Sequence, residues 1–237
     1  MTLLATVQRF CERTNLSVPN TVIGSTDPQV VQIKALLEEI GIDLNSRFTW
    51  NTTTFQKTHT TTATEDQGPM TTIVGSGWEY MKNMTIWDRS LRLPVLGPLN
   101  GVDWQALKAV VVNGPQYQFR ILNDRLLVNP APPAGNTWAF EYGSKFWILD
   151  PDGSTLKEYF TDDDDTMLIS EALCLMGLRA WWKKEKGLEY AEDMRMFEAQ
   201  AMDAANRDGG KPVLHMDDTP WNGPKPGIWI PSGNWPV

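Results

Sequence analysis

The spacing of apolar residues changes twice along the chain, and this constrains the fold more than any other feature. Near the amino end, Leu3, Val7 and Phe10 recur at the three- and four-residue intervals of an amphipathic helix. A second helical stripe begins near Pro28 and extends to about Arg47. Helical spacing then stops, apart from a short helix predicted at residues 102–109, and returns only after residue 160. Two helical regions therefore flank a long central segment of different character.

The central segment carries the pattern of β-strands. Residues 50–63 are rich in Thr, which favours strands over helices. In residues 116–122 apolar and polar residues alternate, and Asn123-Asp124 is predicted to turn that strand back on itself. Residues 50–160 are therefore predicted to form an antiparallel β-rich module.

Two further helices are predicted after the module, with Gly187 between them. The first is predicted to begin at Asp162, in a run of Asp residues, and to end at Lys186. The second starts at Leu188 and ends near Asp208. A helix pair alone has no second layer against which to bury its apolar stripe. We therefore predict that the two helix pairs pack together as a four-helix core.

The predicted fold class is α+β, with the β-rich module inserted into the helical core. In chain order, the predicted parts are residues 1–49 (N-terminal helix pair of the core), residues 50–160 (inserted β-rich module), residues 161–208 (C-terminal helix hairpin of the core) and residues 209–237 (extended arm). The module is expected to project from the core, because its strands interrupt the two helix pairs.

The predicted arm, residues 209–237, holds six of the 16 Pro and three of the 11 Trp. Proline fixes φ and removes a backbone donor, so a helix or a central strand is disfavoured. A flexible spacer is rich in Gly and Ser and lacks large aromatic residues. We therefore predict an extended segment that docks on another surface. The residues predicted to make these contacts are Trp221, Ile228, Trp229, Ile230 and Trp235.

The composition argues against several classes of partner. No run approaches the ~18 apolar residues of a membrane span, so no membrane is expected. The net charge is −8, whereas a nucleic-acid-binding protein normally shows a basic face. The one basic cluster, Lys183-Lys184-Glu185-Lys186, lies at a predicted helix end, where the helix dipole favours cations. Cys11 and Cys174 are predicted to be buried free thiols.

The sequence shows no catalytic motif, so we expect no enzyme activity, no cofactor and no metal site. It contains no nucleophile-elbow motif and no glycine-rich phosphate loop. The acidic run at residues 162–165 lacks the His or Cys of a zinc site and is predicted to cap a helix or face solvent. Asp150–Ser154 looks like the start of an EF-hand loop. However, Thr155 and Thr161 stand where that loop needs Gly and Glu, so a turn is predicted instead.

Trp181 and Trp182 occupy successive positions of a predicted helix, so their side chains diverge by about 100°. At most one of them can be central in the core. The other is either half-buried by the β-rich module or offered to a neighbouring subunit. Because Trp is enriched in the anchors of interfaces, we predict that this pair contributes to an interface together with the arm.

Short segments in a fixed order along about residues 1–215 carry a resemblance to a known family. These segments are Leu3–Cys11, Gly24–Asp27, Glu65–Gly68, Thr85–Arg89 with Pro94–Pro98, Trp104–Lys108, Phe140–Tyr142, Leu178–Trp181 and Lys186–Asp193. In this order they resemble the head-to-tail adaptor proteins of short-tailed bacteriophages, also called head completion proteins or tail accessory factors. The arm after His215 departs from the family pattern.

The resemblance implies a structural virion protein with a helical core, no catalysis and no cofactor. It implies a homo-oligomeric ring, usually of twelve copies, in the neck between the portal protein and the tail (nozzle or fibre) proteins. Such a protein is made in the host cytoplasm. DNA passes through the ring, and an acidic lumen does not grip phosphates, which suits a conduit without sequence-specific binding.

Two alternative functions remain open at the level of the sequence. The first is a virion-associated glycosidase, for which Glu141 and Glu171 are the carboxylate pair considered. The second is a carbohydrate-binding tail component that recognises sugars through exposed Trp residues of the β-rich module.

Overall fold

The computed structural model describes residues 1–109 and 116–208. Within these residues the chain forms six helices and eleven short strands. The helices are α1 (Leu3–Thr14), α2 (Pro28–Arg47), α3 (Met70–Ile73), α4 (Gly101–Ala109), α5 (Glu171–Glu185) and α6 (Ala191–Asp208). The strands are β1 (Thr54–Thr60), β2 (Asp66–Pro69), β3 (Trp78–Met81), β4 (Trp87–Asp88), β5 (Leu93–Pro94), β6 (Gln118–Leu122), β7 (Arg125–Asn129), β8 (Thr137–Ser144), β9 (Ile148–Leu149), β10 (Leu156–Lys157) and β11 (Thr166–Met167).

The strands form three antiparallel sheets. In the largest sheet β8 pairs with β1 along one edge and with β3 and β4 along the other, and β5 lies beyond β4. Thr54 of β1 stands opposite Gly143 of β8, and Thr60 stands opposite Thr137. The second sheet has the order β2-β7-β6 and the third has the order β10-β9-β11.

The second sheet contains the hairpin predicted from the alternating pattern. Leu122 at the end of β6 pairs with Arg125 at the start of β7. Asn123 and Asp124 form the turn between them, and both have positive φ, at 51° and 59°. Asn and Asp tolerate this left-handed conformation better than most residues, which is why the dipeptide predicts a tight turn.

Side chains at their amino ends fix where the first two helices begin. The Thr2 hydroxyl accepts a hydrogen bond from Ala5 N at 3.4 Å, and the Asp27 carboxylate accepts one from Gln29 N at 2.9 Å. Each bond satisfies a backbone donor that has no partner within the helix. Pro28 occupies the first turn of α2, where its missing N–H costs nothing.

The predicted four-helix core is wrong. The first hydrophobic cluster does take residues from α1, α2, α5 and α6, but Trp147, Ile148 and Phe160 are buried within it as well. The last helix, α6, buries only Phe197 and Ala201. The helices therefore form a layer that shares its core with the third sheet and its flanking loops. The mixed content of helices and antiparallel sheets is compatible with the predicted α+β class.

Trp147 enters the helical layer because α2 carries a glycine at the point of contact. A Cβ placed on Gly41 would lie 2.2 Å from the Trp147 ring, far inside van der Waals contact. The Trp147 side chain is fully buried and meets the Phe160 ring edge-on, with the centroids 5.3 Å apart. The packing of α2 is thus built around an indole from outside the helices.

A second hydrophobic cluster lies in the β-rich region, where Phe119, Trp138 and Phe140 are almost completely buried. The buried carboxylate of Asp88 orders this region through four hydrogen bonds. It accepts from the Trp138 indole N–H at 2.9 Å, from Asn136 Nδ2 at 2.8 Å and from the backbone N–H groups of residues 90 and 91 at 2.8 Å. A buried carboxylate is tolerated when its oxygens are satisfied in this way.

Hydrogen bonds join the end of β8 and β3 of the first sheet to α2 and to the residues just after it. Asn45 Nδ2 donates to Ser144 O at 2.8 Å, and the Tyr80 hydroxyl lies 3.0 Å from the Thr49 hydroxyl. The division into parts at residues 49, 160 and 208 stays a prediction. The predicted arm, residues 209–237, lies outside the described residues, and so do its five candidate contact residues.

Replacing Gly41 with Ala tests the contact between α2 and Trp147. The added Cβ would meet the indole at 2.2 Å, so the ring or the helix must move. We expect Gly41→Ala to lower the free energy of unfolding by about 2 kcal/mol, as overpacked cores do. Urea denaturation followed by Trp fluorescence measures the change.

Gly101→Ala is the matched control for this prediction. The nearest heavy atom to a Cβ at Gly101 is an Arg120 guanidinium nitrogen at 3.6 Å, which is ordinary contact. This control is expected to change the free energy of unfolding by less than about 1 kcal/mol, and it can stabilise the helix. Equal effects of the two variants would contradict the packing described for Trp147.

Candidate interface site

The predicted tryptophan pair is split between two environments. Trp182 is only 7% exposed and packs edge-on against Phe10 of α1, with the centroids 5.7 Å apart. Trp181 is half-buried, and it packs against the helical cluster rather than the β-rich one. Lys184 Nζ lies 5.2 Å from the centroid of the Trp181 ring, and Lys186 Nζ lies 4.3 Å from that of Trp182. Both indoles thus carry a cation over the ring.

A groove of about 610 Å³ lies between α1 and α5 and extends to the turn after α5, and we call it the helix groove. Its buried apolar residues are Phe10, Leu175 and Trp182. The more exposed residues that line it are Arg13, Thr14, Arg179, Lys183 and Leu188. The helix groove thus has an apolar floor and a cationic rim, in a chain whose net charge is −8.

The turn between α5 and α6 shapes one end of the helix groove. Gly187 has a φ of +67°, the left-handed conformation that ends many helices. Leu188 N then donates to Lys183 O at 2.9 Å, and the Leu188 side chain stays 55% exposed. An exposed Leu beside an apolar floor makes this end of the groove an unfilled apolar surface.

One carboxylate lies between two of the rim cations. Asp193 of α6 forms ion pairs with both Arg179 and Lys183. The hydrogen bond from Lys183 is the main reason that the pKa of Asp193 lies below its usual value, and Arg179 acts in the same direction. Within the described residues, Arg13 has no carboxylate in ion-pair distance. The rim therefore keeps an excess of positive charge.

Beyond the groove, α6 exposes apolar side chains. It packs on α5 through Phe197 and Ala201, while Met196 and Met202 remain about half exposed. Tyr190, just before α6, is also exposed. Six positions separate Met196 from Met202, so their side chains lie about 120° apart around the helix and do not form one patch. Scattered exposed apolar residues of this kind are normal on protein surfaces.

A second, smaller groove of about 310 Å³ lies on the first sheet. The residues that line it are Gln56, Thr85, Trp87, Arg89, Ala139, Phe140 and Glu141. Trp87 is half-buried and stands beside polar and charged groups, an arrangement that suits a sugar ring. This is the part of the structure that fits a carbohydrate-binding function.

The carboxylate pair considered for glycoside cleavage is not brought together. Glu141 belongs to β8 and lies 3.6 Å from Lys82 Nζ, on the β-rich side. Glu171 is the first residue of α5 and lies 3.5 Å from Arg9, on the helical side. Each carboxylate is thus paired with a cation of its own region, and the two do not flank one groove.

The acidic run at residues 162–165 does not begin a helix, because α5 starts at Glu171. Instead, Asp163 accepts hydrogen bonds from Val22 N at 3.0 Å, from Ile23 N at 2.8 Å and from the Thr21 hydroxyl at 2.6 Å. Burial alone would raise the pKa of Asp163, but these hydrogen bonds lower it below its usual value. Through Asp163, the acidic run therefore holds the loop between α1 and α2 in place by hydrogen bonds.

Asp165 in the same run is completely buried and holds the third sheet. Its carboxylate accepts from Thr161 N at 2.8 Å and Asp162 N at 2.9 Å, and it forms an ion pair with Lys157. Its backbone carbonyl accepts from Leu3 N at 2.8 Å, at the start of α1. The acids that the sequence placed on a helix end are thus loop residues that connect α1 to the third sheet.

The turn predicted at Asp150–Ser154 is present. Asp152 accepts hydrogen bonds from the backbone N–H groups of Ser154 and Thr155, both at 2.8 Å, and from their hydroxyls. These bonds, led by that of the Thr155 hydroxyl, hold the pKa of Asp152 well below its usual range. Across residues 1–109 and 116–208, no three His, Cys, Asp or Glu side chains are grouped so as to hold a metal ion.

Comparisons with known proteins do not assign the chain to a family. No protein-family model matches the sequence, and no curated protein matches it at a significant level. Among the described helices, none is both long and apolar enough to cross a membrane. The candidate site therefore stands on the geometry of the chain itself.

That the predicted tryptophans form an interface stays a prediction, and the sequence analysis did not point to the cations of the helix groove. Trp182 belongs to the helix groove and Trp181 lies beside it, while Trp221, Ile228, Trp229, Ile230 and Trp235 lie outside the described residues. Arg13 and Arg179 were missed, because they are ordinary surface residues until α1 and α5 pack together. Lys183 does lie in the last turn of α5, as the helix-end pattern predicted.

Asp163→Ala tests whether the acidic run fastens the loop before α2. Loss of three hydrogen bonds is expected to lower the free energy of unfolding by about 2 kcal/mol at neutral pH. Because the folded-state pKa of Asp163 is lowered, its charge-dependent contribution is complete above about pH 4. That contribution is lost as the pH falls through the folded-state pKa, so the difference from the wild type should narrow in acid.

Asp164→Ala is the control, since it removes the same charge one residue away. The Asp164 side chain is exposed, and only its backbone N–H is bonded within the run, to Asp162. Chemical denaturation at a series of pH values from 7 down to about 2 compares the variants with the wild type. If Asp164→Ala lowers the free energy of unfolding as much as Asp163→Ala does, then the net charge, rather than the hydrogen bonds of Asp163, determines the change.

Proposed function

We propose that this protein is a structural component of a virion: a ring-forming adaptor of the head-to-tail type that binds a portal protein and presents a platform for tail proteins. The proposal begins from the ordered segments that resemble this family. In it the chain acts through its surfaces, without catalysis or a cofactor, and DNA passes through the ring without sequence-specific contacts.

One observation carries the proposal: segments that resemble the family converge on the helix groove. Leu3–Cys11 supplies Phe10, Leu178–Trp181 supplies Arg179, and Lys186–Asp193 supplies Leu188 together with the partner of the rim cations. These segments are distant in sequence, yet the fold brings them to one apolar surface with a charged rim. Such a surface suits contact with another protein, because interface anchors are apolar or aromatic and are ringed by polar groups.

The partners in this proposal follow from the resemblance. The ring would have twelve copies to match the portal, and nozzle or fibre proteins of the tail would bind on its other side. The negative charge of each copy repels the others, which would keep free copies apart until a portal organises them. The location of the assembled protein would be the virion neck.

Mixing the purified protein with the portal protein encoded by the same genome tests the proposal. We expect a complex whose mass corresponds to about one copy per portal subunit, because the ring would match the symmetry of the portal. Light scattering coupled to size-exclusion chromatography measures this mass. The portal of an unrelated phage serves as the control, and failure to bind the cognate portal would overturn the proposal.

A carbohydrate-binding role is the second candidate, and the groove beside Trp87 favours it. In that case purified polysaccharide or peptidoglycan should retain the protein, and Arg89→Ala should reduce the retention, because Arg89 lines that groove. Arg195→Ala, which removes an exposed arginine from α6, away from the first sheet, is the matched control. Retention on polysaccharide without portal binding would favour this role over the adaptor.

A further inference from the structure

The helix groove carries more positive charge than its own surroundings neutralise. Arg13, Arg179 and Lys183 are three cations, and Asp193 is the single carboxylate paired with them. Two positive charges therefore remain at the edge of an apolar floor. A ligand for this surface should combine about two negative charges with a large apolar group, because unbalanced charge and exposed apolar area are then covered together.

The sequence of this chain contains such a ligand. Within residues 209–237 the only acidic residues are Asp217 and Asp218, and they are followed closely by Trp221. We propose that the segment Asp217–Trp221 binds in the helix groove, with the two aspartates at the cationic rim and the indole on the apolar floor. Trp229 and Trp235 have no acidic neighbours, so this segment matches the groove better than they do.

The chemistry of the floor suits an indole. Phe10 and Trp182 already meet edge-on there, and a third aromatic ring can add a further edge-on or offset contact of the same kind. The volume of about 610 Å³ lies in the usual range of sites that bury a small ligand. Pro220 precedes Trp221 and restricts the backbone, so less conformational entropy is lost on binding.

The segment can reach the groove of its own copy. From Asp193, at the groove rim, to Asp208 the helix α6 extends over fifteen residues, or roughly 22 Å at 1.5 Å per residue. Eight residues lie between Asp208 and Asp217, and the nine steps from one Cα to the next span up to roughly 30 Å in an extended chain. The groove of a neighbouring copy in an assembly is also accessible to a segment of this reach. The inference does not rest on portal binding, because the groove and the segment both belong to this chain.

Engineered cysteines in the full-length protein test the docking directly. Thr14→Cys places a thiol at the groove, and Thr219→Cys places one in the segment. The natural Cys11 and Cys174 are buried, and burial raises the pKa of Cys174 to about 12, so neither interferes. A disulfide forms only when the two Cα atoms come within about 7 Å, which makes crosslinking a measure of docking.

We expect the pair Thr14→Cys and Thr219→Cys to form a disulfide with mild oxidant about tenfold faster than a control pair. The control pairs Thr219→Cys with Thr58→Cys, an exposed position on β1 outside the groove. The mass of the product on a non-reducing gel tells whether the segment docks in its own copy or in a neighbour, and either product supports the inference. Equal crosslinking rates for the two cysteine pairs would overturn the proposed docking and would mean that the helix groove binds something other than this segment.

Charge exchange in the same cysteine background provides a second test. Arg13→Glu combined with Arg179→Glu changes the rim from an excess of two positive charges to an excess of two negative charges, so it should slow crosslinking several-fold. Adding Asp217→Lys with Asp218→Lys should restore the rate, because the signs of both surfaces are then inverted. Circular dichroism confirms that each variant is folded. Restoration would separate a charge-specific contact from general damage to the groove, whereas no rescue would contradict the proposed pairing. Portal binding is measured separately, so its failure would leave this result intact.

Discussion

The structure depends on the burial of Trp147 against α2. The indole of Trp147 fills the space that Gly41 leaves open. The backbone of Trp147 also forms two hydrogen bonds with residues in or beside the third sheet. Trp147 N donates to Lys157 O at 3.2 Å, and Trp147 O accepts from Leu168 N at 2.9 Å. Asn45 of α2 binds Ser144 O a few residues earlier. This one region therefore joins the helical layer, the third sheet and the end of β8.

Much of the secondary structure could be predicted from the sequence, because local patterns determine it. The stripe of α1, the capping region of α2 and the Asn123-Asp124 turn all lie within a few residues of the features they control. The four-helix core could not be predicted correctly, because the strands of the third sheet are two residues long and show no periodicity. Nothing local shows that Trp147 is buried beside Gly41, since the two are distant in sequence.

The acidic run and the helix groove show the same limit at the level of individual sites. Acids before an apolar stripe are typical of a helix start, but the backbone donors of residues 22 and 23 compete for Asp163, and a long-range contact overrides the local preference. The successive positions of Trp181 and Trp182 did predict that at most one of the two side chains is central in the core. The cationic rim was not predicted, because Arg13 and Arg179 come together only when α1 packs against α5, and a net charge of −8 conceals a local excess of the opposite sign.

The pairing of Thr54 with Gly143 brings the two ends of the β-rich region side by side. A tryptophan buried in the helical cluster lies within a few residues of each end: Trp50 precedes Thr54, and Trp147 follows Gly143. The Trp50 indole also donates to Leu44 O at 2.9 Å. Because both strand ends are held in place by buried tryptophans, the segment between them can be replaced without moving the points where it joins the helical layer. In evolution, the whole sequence between them could be lengthened, shortened or replaced while the helical layer kept its packing.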